Sequence, residues 1–224
     1  MPQKLIFWDW TGTLADEAKM DEAVCRSMEE EVAKRDRISF EEAERRFKDH
    51  LRGLENTWQW HDYVLHGKAL GVDWELYQKK HLRELVLLPQ AREMVEYARN
   101  QGYKNVLVTN AVRPVILLRA SYLEVLNLFD TIIASDDVHV LKSEGEHFRY
   151  GLRIHDGDVA SSYSIGDNPV QDIEPAKRLG IITVYCDFKM AMTHYHTEHI
   201  SANHRELALA DYTITNLTEI KDII

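Results

Sequence analysis

Four short polar segments of this chain each stand at or just beyond the end of an apolar run, and together they hold the residues most able to do chemistry. Asp9 closes the run Lys4 to Trp8 and opens Asp9-Trp10-Thr11-Gly12-Thr13-Leu14. An acid at the end of a buried strand is costly unless it is paired or bound to a metal, and Gly12 permits a sharp turn just after it. Thr109-Asn110 ends a second run with a hydroxyl and an amide. Lys142 follows a third, Thr131 to Ala134, through a short loop. The fourth segment is Gly166-Asp167-Asn168-Pro169-Val170-Gln171-Asp172, in which Asn168 suits a helix cap and Pro169 its first turn. If these ends are neighbours, two or three carboxylates, one lysine and two neutral hydrogen-bonding groups converge. Hard oxygen ligands of this kind suit Mg2+, which binds through one or two carboxylates plus substrate phosphate. With a lysine and a metal neutralising a phosphoryl group, a remaining carboxylate is placed to attack phosphorus. The expected chemistry is phosphoryl transfer through an aspartyl-phosphate.

The elements that must position these segments follow from pattern. Lys4 to Trp8, Asn105 to Thr109, Thr131 to Ala134, Ser162 to Ile165 and Ile181 to Tyr185 are short apolar runs that read as buried strands. Between them, Ala91 to Gln101, Pro114 to Leu126, Ser143 to Leu152 and Pro169 to Leu179 read as helices, with Gly102 and Gly180 as stops. Strand–helix alternation predicts an α/β fold, a Rossmann-like parallel sheet sandwiched by helices. From Asp16 to Leu88 the text is instead helical, including Asp21 to Arg35 and Phe40 to Leu54, the latter opened by the capping signature Ser39…Glu42. The predicted organisation is a core of residues 1–15 and 89–224, with an all-helical insertion over 16–88. That insertion begins soon after the first strand, so it is expected above the strand's carboxyl end, the edge where open α/β sheets bind ligands.

In order and spacing, the four segments resemble the four motifs of the haloacid dehalogenase superfamily, and the insertion resembles its small helical cap. Phe148, six residues after Lys142, and the stretch Ile173 to Gly180 continue the likeness, as does Ala210 to Ile214 as a last strand. The layout is most similar to phosphoglycolate phosphatase-like members. The resemblance implies that Asp9 is the nucleophile and a Mg2+ ligand, that Thr11 gives the metal its main-chain carbonyl, and that Asp167 is the other direct carboxylate ligand. It further implies that Asp172 orients metal waters or Lys142 from behind, and that Thr109, Asn110 and Lys142 hold the phosphoryl oxygens. The implied enzyme is a Mg2+-dependent hydrolase, a phosphatase acting on a small phosphorylated metabolite.

One position departs from that pattern. Phosphatases of the family carry a second Asp two residues after the nucleophile, which protonates the leaving group and then activates water. Here that position is Thr11, whose hydroxyl does not exchange protons near neutral pH as a carboxyl does. General acid–base help is worth ~10²–10⁴-fold, so three outcomes stay open: a slow enzyme, a substrate whose leaving group needs no proton, or a substitute such as Glu17 or another residue of the insertion. Two alternatives of other kinds also stand. Metal-independent 2-haloacid dehalogenases lack the second Asp too, although the acid at Asp167 is typically absent from them. A catalytically weak protein that binds through the same fold is the third reading.

Composition narrows the rest. Lys and Arg number 27 against 37 Asp and Glu, a formal charge of −10, a field that disfavours nucleic acid and anionic membranes. No apolar run approaches the ~18 residues of a membrane span. The start Met1-Pro2-Gln3-Lys4 lacks the features of a secretory leader, and the only cysteines, Cys25 and Cys186, fit a reducing compartment. The expectation is a cytoplasmic protein, monomer or homodimer, with a small-molecule partner. Trp58, Trp60, His61, Tyr63 and Trp74 are either the core of the helical insertion or lining for a pocket beneath it. Arg113 either touches substrate or lies on the surface. His194, His196, His199 and His204 form a histidine-rich stretch that reads first as a polar loop and second as a transition-metal site.

Overall fold

The computed structural model describes residues 2–188 and 210–224. Its centre is a six-stranded parallel sheet built from β1 (Leu5–Trp8), β4 (Lys104–Val108), β5 (Thr131–Ile133), β6 (Tyr163–Gly166), β7 (Ile182–Cys186) and β8 (Tyr212–Ile214), in the order β5-β4-β1-β6-β7-β8. All four residues of β1 are buried, as expected for a central parallel strand covered on both faces. Alternation sends Leu5 and Phe7 to one face, with Val106, Val108, Ile133 and Phe148, and the Phe7 and Phe148 rings meet edge-on at 5.4 Å. Ile6 and Trp8 join the larger core on the other face. There the Trp8 indole donates to Asn105 Oδ1 at 2.9 Å, and the Asn105 amide in turn donates to the Val95 and Leu128 carbonyls. A buried tryptophan and a buried asparagine thus satisfy each other.

Core helices α5 (Ala91–Asn100), α6 (Arg113–Tyr122), α7 (Ser135–Val138), α8 (Glu146–His155) and α9 (Glu174–Arg178) connect the strands. Two of them differ from expectation. Lys142–Glu144 forms a 3-10 turn before α8 begins at Glu146, and Pro169–Ile173 is a wide π-type turn rather than the first turns of α9. The chain leaves β1, runs outward to β4 and β5, then crosses to β6, β7 and β8 on the other side. The strand order therefore reverses at β1, and the crevice at its carboxyl end is the switch point where such sheets take ligands.

Between β1 and α5 lie α1 (Ala18–Asp36), α2 (Phe40–Arg52), α3 (Tyr63–Leu70) and α4 (Trp74–His81). Ser39 caps α2 by accepting from Glu42 N at 3.2 Å, while the Glu42 carboxylate turns to Arg45 and Arg46. Asp62 and Asp73 cap α3 and α4 in the same way. The helical stretch is entered and left through a two-stranded antiparallel ribbon, β2 (Ala15–Asp16) against β3 (Val86–Leu87). Two-residue strands are too short for sequence alternation to betray them. Among the described residues, no helix is long and apolar enough to cross a membrane.

Candidate active site

Parallel pairing brings the chemical segments together. Asp9 follows β1, Thr109 follows β4 and Asp167 follows β6, at the same edge of three neighbouring strands. Lys142 opens the 3-10 turn that follows α7, not a simple loop after β5, and is almost wholly buried, 4 % exposed. Its ammonium donates to Asp9 Oδ1 and, at 2.5 Å, to Asp172 Oδ1. Thr13 donates to the other Asp9 oxygen at 2.9 Å. Asp172 is fixed from behind by the Asn168 main-chain N–H, which donates to its Oδ2 at 3.0 Å. Carboxylate oxygens of Asp9, Asp167 and Asp172 all lie within 4.8 Å of one another. Thr109 Oγ1 accepts from Ala111 N at 3.1 Å, which leaves its hydroxyl hydrogen to donate.

Glycine makes this crowding possible. Gly12 has φ +81°, and a Cβ there would stand 2.1 Å from Asp167 Oδ2. Gly12→Ala therefore adds a strained backbone, costing ~1–2 kcal/mol, and also forces the Asp167 carboxylate out of its present position. The expected result is a folded protein that melts lower and loses most of its response to added Mg2+, read by thermal unfolding with and without the ion.

The charges do not balance. Three carboxylates face one lysine, and each is the other's problem. Burial, followed by the Asp9 carboxylate, pushes Asp172 up to about 7. Burial and the same neighbours hold Asp167 well above the usual carboxylate range. Burial works against the Lys142 ammonium, but Asp172 and Asp9 outweigh it and keep it protonated. Excess buried negative charge among hard oxygen donors is what a divalent cation of the Mg2+ type neutralises, so the donor set fits one.

The haloacid dehalogenase-like hydrolase family model matches residues 3–180, most of the chain. The chain belongs to this family. Among curated relatives of this haloacid dehalogenase-like hydrolase, a glyceraldehyde 3-phosphate phosphatase of Pyrococcus abyssi is 26% identical over 191 residues, covering 81% of this chain and 80% of that protein. A ribulose-1,5-bisphosphate 5-phosphatase of Halopiger xanaduensis is 25% identical over 158 residues, covering 70% of this chain; the match spans 64% of that relative's length, less than two thirds. Among solved structures, a phosphatase of the same family from Thermococcus onnurineus superposes with a TM-score of 0.82 at 25% identity, over 99% of this chain and 97% of that one.

Several residues have partners in this hydrolase that sequence did not show. Asn110 does not stand alone: its Oδ1 accepts from Lys142 N at 2.9 Å and its amide donates to Gln171 Oε1 at 3.2 Å, which also accepts from Ser143 N. Gln171 thus ties the Asn110 and Lys142 segments to the turn that bears Asp172. Arg113 is engaged with Asp137, at 2.5 Å, and with the Ile132 carbonyl, so it braces α6 against α7. Thr11, an exposed residue two positions after Asp9, donates to Glu17 Oε2 at 2.6 Å. Glu17 is 3% exposed, and its other oxygen accepts from the Trp10 indole at 2.5 Å and from Arg119 at 2.8 Å. Arg119, equally buried, also reaches Asp21 at 2.6 Å and Gln78 at 3.0 Å, with its guanidinium over the Tyr63 ring. Of the aromatic residues in the helical stretch, Tyr63 is buried and donates to Asp21, while Trp58 packs edge-on against His139. Trp60, His61 and Tyr63 also line a small cavity with Cys25, Phe47, Leu51 and His66. The histidine-rich stretch lies outside the described residues.

Behind Lys142 and Thr109, the fully buried His147 ring lies beside the Thr109 main chain with no well-formed hydrogen bond at either nitrogen. Burial pushes its pKa down to about 3, the Lys142 ammonium adds to this, and the Thr109 main chain and Asp137 offset part of it. The unfolded ring titrates near 6.5, so as pH falls below that value the unfolded state gains a proton that the folded state refuses. Stability is lost at about 1.4 kcal/mol per pH unit until the folded pKa is reached. His147→Leu removes this penalty and an unsatisfied buried group. Its unfolding free energy should match or exceed that of the parent at pH 7, with the difference widening by about 2 kcal/mol at pH 5. Paired unfolding curves at the two pH values measure it.

Proposed function

We propose that this hydrolase is a Mg2+-dependent phosphatase that transfers the phosphoryl group of a small phosphorylated metabolite to Asp9 and then to water. The observation that carries this reading is the convergence of Asp9, Asp167, Asp172 and Lys142 at one sheet edge. The named activities of the curated relatives support it. Asp9, Asp167 and the Thr11 main-chain carbonyl would hold the ion, with Asp172 behind them. When bound, Mg2+ supplies positive charge to the phosphoryl oxygens and offsets the repulsion between substrate and carboxylates.

The chain's own residues do the rest. Lys142 and the Thr109 hydroxyl bind phosphoryl oxygens, and Asn110, held by Gln171, keeps the Lys142 segment in register with them. Thr13 and Lys142 each hold one oxygen of Asp9, so the nucleophile meets phosphorus in a fixed orientation rather than as a free rotor. Asp9 bonds to phosphorus as the ester oxygen leaves; water then attacks the same phosphorus and restores the Asp9 carboxylate. Residues 16–88 serve as a helical cap over a core of 1–15 and 89–224. Its entry ribbon starts only six residues beyond Asp9, with Leu14 O accepting from Leu88 N at 2.9 Å. A covered crevice suits a small substrate.

Phosphate release across a panel of phosphometabolites, with Mg2+ and with chelator, tests the reading. Mg2+-dependent release is expected. Chloride release from a 2-haloacid without metal would establish a dehalogenase instead, and no turnover of any ester or anhydride would leave a binding protein.

A further inference from the structure

The hydroxyl that stands in place of the family's second Asp is already spent. Thr11 gives its single hydrogen to Glu17 Oε2 at 2.6 Å. Glu17 accepts in addition from the Trp10 indole at 2.5 Å and from Arg119 at 2.8 Å. Those three groups bring hydrogens to both of its oxygens, one of them from a buried guanidinium. None of the three needs a proton back from Glu17. A hydroxyl has one hydrogen and two lone pairs. With the hydrogen turned inward to the buried, ion-paired Glu17, the Thr11 oxygen has only lone pairs left to offer.

We infer that Glu17 and Arg119 make Thr11 a hydrogen-bond acceptor only, and that this enzyme therefore selects substrates by leaving group. The favoured class is acyl, enol and aryl phosphates and phosphoanhydrides. Phosphates of ordinary alcohols, the chemistry of the triose phosphate named for its relatives, are the disfavoured class. The inference rests on the phosphatase reading above. In the first step, an Asp9 oxygen bonds to phosphorus and the bond from phosphorus to the leaving oxygen breaks, its electron pair staying on that oxygen. A carboxylate, enolate or phenolate departs as an anion with no proton transferred, whereas an alkoxide must find one. In the second step, water bonds to phosphorus, and the Asp9–phosphorus bond breaks with its electron pair returning to Asp9. Both hydrogens of the water leave with the phosphate product, which ionises in solvent. Glu17 and Arg119 are positioning residues here, acting through Thr11.

The test compares kcat/KM for acetyl phosphate, 4-nitrophenyl phosphate and glycerol 3-phosphate, with Mg2+, in the full chain. The expected preference for the first two over the third is ~10²–10⁴-fold, the usual worth of a general acid. Thr11→Val, which also lacks a donor, should keep that ratio within about threefold, although absolute rates fall. Thr11→Asp should raise glycerol 3-phosphate turnover selectively and narrow the ratio by about tenfold or more. A ratio of substrates within one preparation does not depend on how much of it is folded. Equal turnover of aryl and alkyl phosphates by the parent, or selective loss of glycerol 3-phosphate turnover in Thr11→Val, overturns the inference and leaves the phosphatase reading standing. Failure to turn over any of the three with Mg2+ overturns both.

Discussion

Asp9→Asn should abolish turnover, by ~10⁵-fold or more, the scale on which removal of a covalent nucleophile acts in other enzymes. The amide is the same shape; its single oxygen can keep the Lys142 bond while the Thr13 hydroxyl turns to accept from the new NH2, so the loss would be chemical. Stability should move the other way. Asp9 is one of three carboxylates crowded within 4.8 Å and is a cause of the raised pKa at both Asp167 and Asp172. Neutralising it relieves that repulsion in the metal-free protein and weakens the reason to bind a cation. Phosphate release, acid-quench trapping of phosphoprotein and thermal unfolding with and without Mg2+ give the three readings. Inactivity, no trapped phosphoprotein, and a higher metal-free melting point with a smaller Mg2+ shift are expected together. A variant that still accumulates phosphoprotein would show that another residue is the nucleophile.

Lys142→Met has the second-largest expected effect, and its signature is the opposite. The ammonium is buried between Asp9 and Asp172; removing one partner of a buried ion pair typically costs ~3–5 kcal/mol because the other charges are left without compensation. Methionine fills much of the volume, so packing is a minor part of the loss. Turnover should fall by ~10²–10³-fold as a donor to the reacting phosphoryl group disappears. The metal-free protein should melt well below the parent, and Mg2+ should recover more of its stability than it adds to the parent. If Mg2+ stabilises both proteins equally, the ion and the lysine do not share a site.

These positions were legible because a central parallel strand is buried on both faces and so reads as an unbroken apolar run. Whatever polar residue ends such a run stands at the sheet edge, and Asp9, Thr109 and Asp167 were found in that way. Lys142 and Asp172 lie farther from their strands, and their recognition rested on spacing. Arg119 was out of reach. It sits within Leu117-Leu118-Arg119-Ala120, where one arginine on an amphipathic helix reads as a solvated side chain; only the placement of α1 and α4 against α6 buries it. Gln171 had no signal either, since its two partners come from other loops. His147 beside Phe148 reads as an ordinary helix residue until α8 is laid against the sheet. Ser143 was expected to begin a helix, but the chain first makes a separate 3-10 turn that carries Lys142 inward, and Gly145, at φ +83°, then starts α8. Such turns depend on tertiary hydrogen bonds, here from Ser143 N to Gln171, which no local pattern encodes.

The salt cluster around Arg119 has a thermal consequence. It ties the start of α1 to α6 through charges sealed from water, Glu17 and Asp21 on one side and a guanidinium on the other, with the neutral Gln78 of α4 accepting from the same guanidinium. Peeling the helices from the sheet would strand those ions unhydrated in the first instant and would uncover the Tyr63 and Trp10 faces as well. Partial opening is therefore uphill until water floods the seam, and heat should melt both layers in one concerted step.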